Sequence, residues 1–236
     1  MEHNTFINNN LDLIKAFDRL TFQTFFIINE NNGNIVYISP KFYDTFPELC
    51  HTQEIGNTDI WEFTRNFINE DFIAISKEVY SKWKMFINNI NEQDKPNYIF
   101  ENVIKRTFSK KILYYNVMQT IIKSSGNSDT CYILCNMSLP SLIGFESPKI
   151  WNTKTHETYS YNFEKHKWEQ KAPIELSDTE KYILILSARG FTVPDIAETI
   201  NKSTEAVKSS KQRIFHKFGT RNIQQAIIFA INHNMI

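Results

Sequence analysis

The chain has 236 residues, with 26 Lys and Arg against 26 Asp and Glu, 42% apolar side chains and three cysteines. That length accommodates two domains, an odd cysteine count argues against a disulfide framework, and no apolar run approaches the roughly 18 residues of a membrane span. The N-terminus has no signal-peptide layout, so the chain is expected in the cytoplasm, with no membrane as partner.

The neutral balance divides unevenly. Residues 1–171 hold 18 basic and 20 acidic side chains, and residues 172–236 hold 8 and 6. Any attraction to a polyanion is therefore local to the second part and not a property of the whole surface.

In chain order, Leu13, Ile14, Phe17 and Leu20 form an apolar stripe that predicts a short amphipathic helix over residues 11–20. Phe25-Phe26-Ile27-Ile28 and Ile35-Val36-Tyr37-Ile38 bracket the polar segment Asn29 to Asn34, a strand, turn and strand. Ser39-Pro40 starts a helix running to Phe46. Phe72, Ile75, Val79, Trp83, Phe86 and Ile90 recur at spacings of three and four and predict a second amphipathic helix. Beyond Pro96 come three strand-like stretches, Tyr98 to Arg106, Lys111 to Lys123 and Thr130 to Leu139, separated by polar turns such as Ser124-Ser125-Gly126-Asn127.

Cys131 and Cys135 stand four apart in the last of these strands and so share one face, where they serve as small core residues. His51 beside Cys50 has no second ligand pair in view, and no metal site is expected. Phe25, Tyr37, Phe42, Phe46, Trp61 and Phe63 could line a pocket, but filling the core is the default reading for such aromatics. No Cys or His stands in a setting that demands flavin or haem. No cofactor is assigned.

Two strands, helices and then a three-stranded meander is an order similar to that of a PAS domain. The local match is best from Phe26 to Pro40, and Cys135-Asn136-Met137-Ser138 sits where the family sheet ends. The resemblance covers roughly residues 20 to 140. It implies a five-stranded antiparallel sheet with helices on one side, often dimeric and often enclosing a small-molecule pocket.

Residues 141–173 are expected to connect the domains and to carry a hairpin, since Thr158-Tyr159-Ser160-Tyr161-Asn162-Phe163 alternates polar and aromatic, Glu164-Lys165-His166 can turn and Lys167-Trp168-Glu169 can return. An aromatic face of that kind needs cover, and packing on one domain would couple the two. Pro173 marks the boundary.

Ser177 and Glu180 have the spacing of a capping box, so a helix spans roughly Asp178 to Arg189 and stops at Gly190. Thr192 with Asp195 starts a short second helix, in which Pro194 is tolerated in the first turn. Ile196, Ala197 and Ile200 face inward. After Asn201-Lys202, Ser203 caps a third helix that continues to about Phe218. Two helices joined by so short a turn cross steeply, the helix-turn-helix arrangement.

On a wheel of 100° per residue, Val207, Ile214 and Phe218 fall within about 40° of one line and face inward. Glu205, Ser209, Gln212 and His216 collect opposite, flanked by Lys208 and Arg213. From Asn201 to Arg221 there are six Lys or Arg against the single acid Glu205. In the last helix, Ile223 to Met235, the residues Ala226, Ile227, Ala230 and Ile231 are assigned to the core, which leaves Ile228 and Phe229 for a dimer seam or for burial elsewhere.

Leu176-Ser177-x-x-Glu180, Leu184, Ala188-x-Gly190, Asp195-Ile196-Ala197, Ser203-x-x-x-Val207-Lys208, Ile214-x-x-Lys217 and Ala226 together resemble the LuxR/GerE-type DNA-binding domain. The resemblance runs from Leu176 to Ile236 without a gap. It implies a four-helix unit whose third helix enters the major groove, with Lys208, Ser209 and Gln212 reading bases and Lys202, Arg213, Lys217 and Arg221 meeting phosphates. The chain departs from the family pattern at Ala206 for the usual Thr, Ser210 for a common His and Lys211 for an aliphatic residue. The Lys211 stem is expected to pack while its ammonium snorkels outward.

The whole is thus expected to be α+β: an N-terminal helix over 1–20, a PAS-like antiparallel sheet with helices over 21–140, a connecting segment over 141–173 and a LuxR-type helix-turn-helix domain over 174–236. No nucleophile with a base, no metal spacing and no phosphate loop is present, so an enzyme is not expected. The leading expectation is a bacterial transcription regulator, a homodimer on double-stranded promoter DNA. RNA polymerase and a small-molecule ligand of the PAS-like domain are further candidate partners. The alternative is a protein-interaction scaffold without sequence-specific DNA binding.

Overall fold

The computed structural model describes residues 5–21, 24–47, 58–66, 68–108, 111–123, 131–138, 147–233 and 235–236. The chain divides into two compact units, Met1–Lys171 and Ala172–Ile236.

The first unit is built on one antiparallel sheet of eight strands. They are β1 (Thr24–Asn29), β2 (Ile35–Ile38), β3 (Tyr98–Phe108), β4 (Lys111–Lys123), β5 (Cys131–Ser138), β6 (Lys149–Asn152), β7 (Thr158–Asn162) and β8 (Lys167–Lys171), in the order β2-β1-β5-β4-β3-β6-β7-β8. Among the described residues, α1 (Thr5–Leu20), α2 (Pro40–Thr45), α3 (Ile60–Arg65) and α4 (Glu70–Asn88) accompany it. The β1–β2 turn is tied by Asn29 Oδ1, which accepts from Asn31 N, and by Gly33, whose φ of 75° suits glycine. A Cβ at Gly33 would sit 2.9 Å from Asp59 Oδ2. Asp59 is the cap of α3, accepting from Trp61 N at 2.8 Å, so the same close approach that demands glycine fixes where α3 begins.

Alternation along each strand sends one set of side chains toward α2, α3 and α4. Phe42, Phe63, Phe72, Val79 and Trp83 from the helices pack with Phe26, Phe100, Val117, Ile133 and Cys135 from the sheet. The opposite set, Phe25, Ile27, Val36 and Tyr132, is covered by Ile7 and Ile14 of α1. That helix starts six residues before the expected Leu11, because Ile7 lies in phase with Ile14. Burial of that face outweighs the weak helix preference of Asn8 to Asn10. The expected stripe is correspondingly displaced: Leu13 and Leu20 are 70% and 81% exposed.

Residues 149–171 are part of the sheet of the first unit and not a strip between domains. β6 pairs with β3, and the β7–β8 hairpin extends the sheet beyond it. Its aromatic face is covered by α4 and β3. Tyr159 meets Phe86 edge-on at 4.9 Å, and Trp168 meets Phe100 at 6.0 Å, which in turn stacks on Trp83 at 5.3 Å. Glu78 of α4 accepts from Tyr161 Oη at 2.6 Å and pairs with His166 Nδ1 at 2.7 Å. Those bonds, Tyr161 first, hold the Glu78 carboxyl below the usual glutamate range.

Cys135 is fully buried and burial raises its thiol, while Cys131 is half-buried on the same strand face. Cys50 and His51 lie outside the described residues, as do the turn at 124–127, Leu139 and residues 141–146. Trp83 closes the contact between α4 and the sheet with 1% of its surface exposed. Trp83→Ala should destabilise the first unit by about 3–5 kcal/mol, measured by urea unfolding followed through circular dichroism.

Candidate nucleic-acid interface

The second unit consists of α5 (Asp178–Ala188), α6 (Val193–Thr199), α7 (Thr204–Phe218) and α8 (Ile223–Asn232). Local chemistry sets every start. Ser177 and Glu180 form a reciprocal capping box at α5, Thr192 and Asp195 form another at α6, and Ser203 accepts from Ala206 N at 3.2 Å to cap α7. The α6–α7 turn needs one left-handed residue, and Asn201 supplies it with a φ of 51°. Gly219 ends α7 with a φ of 68°.

Val207, Ser210, Ile214 and Phe218 are the buried stripe of α7, packed on Ile183, Leu184, Ile196, Ala226 and Ala230. Phe215 packs partly against the same core, and Thr204, Ala206 and Lys211 are half-buried. Lys202, Lys208, Ser209, Gln212, Arg213, Lys217 and Arg221 are all exposed, and Ser209 and Gln212 lie together with Glu205 and His216 on the side opposite the stripe. A helix of 15 residues is roughly 22 Å long and about 10–12 Å across, dimensions that match a major groove about 12 Å wide. Arg213 is steered by a bond from Nη2 to Ser210 Oγ at 2.8 Å. Lys208 stands 4.0 Å from Glu205, an exposed pair that constrains it little. Lys211 is half-buried, and desolvation lowers its ammonium pKa, consistent with a packed stem and a head reaching for water.

The first unit holds a second feature, a cavity of about 50 Å³ on the helix-covered side of the sheet, lined by Trp61, Ser76, Tyr80, Phe100, Asn102 and Gln119 among others. One water needs about 10–15 Å³ by this measure. Among the described residues that line it, none is Asp, Glu, Lys, Arg or His. Ser76 Oγ and Gln119 Oε1 are buried with no hydrogen-bond partner among the described residues, a cost of about 1–3 kcal/mol for each such group. Of the aromatics named from sequence, only Trp61 lines this space. Phe42, Phe46 and Phe63 fill the core, and Phe25 stacks with Tyr37 at 5.6 Å on the other face of the sheet.

Residues 175–230 match the family model GerE, the LuxR family of bacterial regulatory proteins. Those residues are a LuxR-family helix-turn-helix domain. Among solved structures, a phage VqmA–DPO complex is 11% identical, with 96% of this chain and 88% of that chain covered and a TM-score of 0.36. A Vibrio cholerae VqmA dimer described as LuxR-type is 15% identical over 94% and 87% of the two chains, with a TM-score of 0.35. A Vibrio VqmA–ligand–DNA complex gives 15%, 94%, 86% and 0.33. At those values no residue role transfers from them. No curated protein matches the chain.

Within the LuxR-type domain, two placements differ from expectation. Ile231, expected inside, is 54% exposed beside Ile228 at 49%, whereas Phe229 turns inward and stacks on Phe218 at 4.5 Å. The phase of α8 is set by that stack together with Ala226, Ala230 and His233, a spacing of three and four that leaves Ile231 outside. Lys217 is also more committed than a free phosphate partner would be: its Nζ lies 2.7 Å from Glu180 Oε2 and donates to Glu175 O at 2.9 Å. The Glu180–Lys217 pairing spans 37 positions and left no local signal in the sequence.

Because Ser203 Oγ satisfies an otherwise orphaned amide of α7, Ser203→Ala should cost the LuxR-type domain about 1 kcal/mol. Ser203→Asp should restore most of it. Hydrogen exchange at residues 204–208 of the full chain reads both.

Proposed function

We propose that this protein is a sequence-specific DNA-binding transcription regulator, acting as a homodimer and placing α7 in the major groove. The observation that carries this reading is the polar face of α7, opposite a fully buried stripe and free of any covering element within its unit. Lys208 can donate to guanine O6 and N7, Gln212 can pair bidentately with adenine, and Ser209 can donate or accept. Lys202, Arg213 and Arg221 surround that face and serve the phosphates. Ile228 and Ile231 offer α8 a seam for the second copy, whose half-site would lie one or two helical turns away.

The first unit is proposed as a PAS-like sensing or dimerisation domain, a reading supported by the order β2-β1-β5-β4-β3 with α2, α3 and α4 packed on one face. Its cavity would take a small uncharged molecule that donates to Gln119 Oε1 and bonds Ser76 Oγ, because the described residues of its lining offer no ionised partner for a charged one. No helix among the described residues is long and apolar enough to cross a membrane, and a cytoplasmic protein working beside RNA polymerase fits the proposed role.

Selection of bound fragments from random duplex DNA at fixed salt should yield a paired motif with the intact protein. On that motif, Lys208→Ala and Gln212→Ala should each lose about 1–3 kcal/mol and relax preference at one base, whereas Arg213→Ala should weaken all sequences alike. Recovery of no motif, with these variants indistinguishable from the parent, would instead favour the scaffold reading.

A further inference from the structure

We propose that Lys217 is a positioning residue of the recognition helix, clamping α7 to the start of α5 and to the incoming chain, and does not contact the DNA backbone. This rests on the DNA-binding reading above for its consequence, though not for its geometry. Four bonds converge on one point. Glu180 Oε2 accepts from Lys217 Nζ at 2.7 Å, from Ser177 N at 2.8 Å and from Ser177 Oγ at 3.1 Å, while the same ammonium donates to Glu175 O at 2.9 Å. Two of the three ammonium donors are thereby spent on fixed acceptors.

The carboxylate it holds is buried, with 3% of Glu180 exposed. Burial alone would raise the pKa of that carboxyl, yet the Lys217 and Ser177 bonds outweigh burial and hold it below the usual glutamate range, so the pair stays charged. Turning Lys217 toward a phosphate would leave a desolvated anion without its cation, which is the expensive way to break such a pair. Lys208 carries no such obligation, because its partner Glu205 is itself mostly in water. On the helical wheel Lys217 also lies about 180° round from Lys208, away from the base-reading side.

The clamp joins three segments that sequence distance separates: the chain at Glu175, the first turn of α5 and the last turn of α7. It therefore sets the tilt at which α7 presents Lys208, Ser209 and Gln212. It also ties the recognition helix to the stretch of chain that begins four residues after β8 ends.

The test uses the full chain with Lys217→Met, Glu180→Gln, both together, and Arg213→Ala for comparison. Hydrogen exchange is followed at residues 178–186 and 210–218, and affinity for the selected duplex is followed against salt. Lys217→Met should raise exchange about tenfold or more in both segments, since it strands the buried carboxylate. It should weaken DNA binding without changing the salt slope, whereas Arg213→Ala, at a proposed phosphate contact, should flatten that slope by about 0.9. The double variant, in which the uncharged amide that replaces the Glu180 carboxylate can still serve the capping box, should regain protection and affinity although no cation stands at position 217. A salt slope flattened by about 0.9 with exchange unchanged would make Lys217 a phosphate contact and overturn the proposal. A double variant no better than Lys217→Met would overturn it as well. Should the parent chain bind no duplex selectively, the DNA-binding reading fails alone, and the exchange measurements still decide the clamp.

Discussion

Burial of a single stripe on α7 is the constraint from which the rest of the second unit follows. Val207, Ser210, Ile214 and Phe218 can enter the core only if the helix is rotated to one angle, and that angle puts Ser209 and Gln212 in water with basic side chains around them. Three capped helix starts and one left-handed Asn201 then fix how α7 leaves the turn. The column of Phe218 on Phe229 and Phe229 on His233, at 4.5 and 3.9 Å, fixes its far end. Function is thus a by-product of packing: the face that the core rejects is the face that can read a groove.

The first unit solves a different problem with aromatic side chains. Its sheet is longer than a five-stranded core requires, because the β7–β8 hairpin needs cover for Tyr159, Tyr161 and Trp168 and finds it on α4 and β3. Phe100 thereby belongs both to the cavity wall and, through Trp168, to the strand that ends at Lys171. Close packing of large rings leaves few gaps, and the cavity beside Phe100 is one of them, with Ser76 Oγ and Gln119 Oε1 on its wall lacking a hydrogen-bond partner among the described residues.

What the sequence made legible is what local chemistry decides. The boundaries of β2, β4 and α7, and the caps at Ser177, Thr192 and Ser203, follow from neighbours within a turn or from strict alternation. What it concealed depends on distant partners. α3 is six residues long and starts where Asp59 meets Gly33, β6 is four residues long and takes its identity from pairing with β3, and the stripe of α1 was displaced because Ile7 lay beyond the expected helix. The same holds in the interface. Exposure of Lys208, Ser209, Gln212 and Arg213 was readable from helical phase, but the tie between Lys217 and Glu180 was not, nor was the exchange of Ile231 for Phe229 on α8.

The central claim is that α7 lies in the major groove with Lys208 and Gln212 against base edges. Dimethyl sulfate footprinting on a selected duplex tests it directly, since the reagent methylates guanine N7 in the major groove and adenine N3 in the minor groove. Protection of guanine N7 within each half-site is expected from the intact protein, lost at one position with Lys208→Ala. Unchanged reactivity at guanine N7 under saturating protein, with protection only at adenine N3, would contradict it.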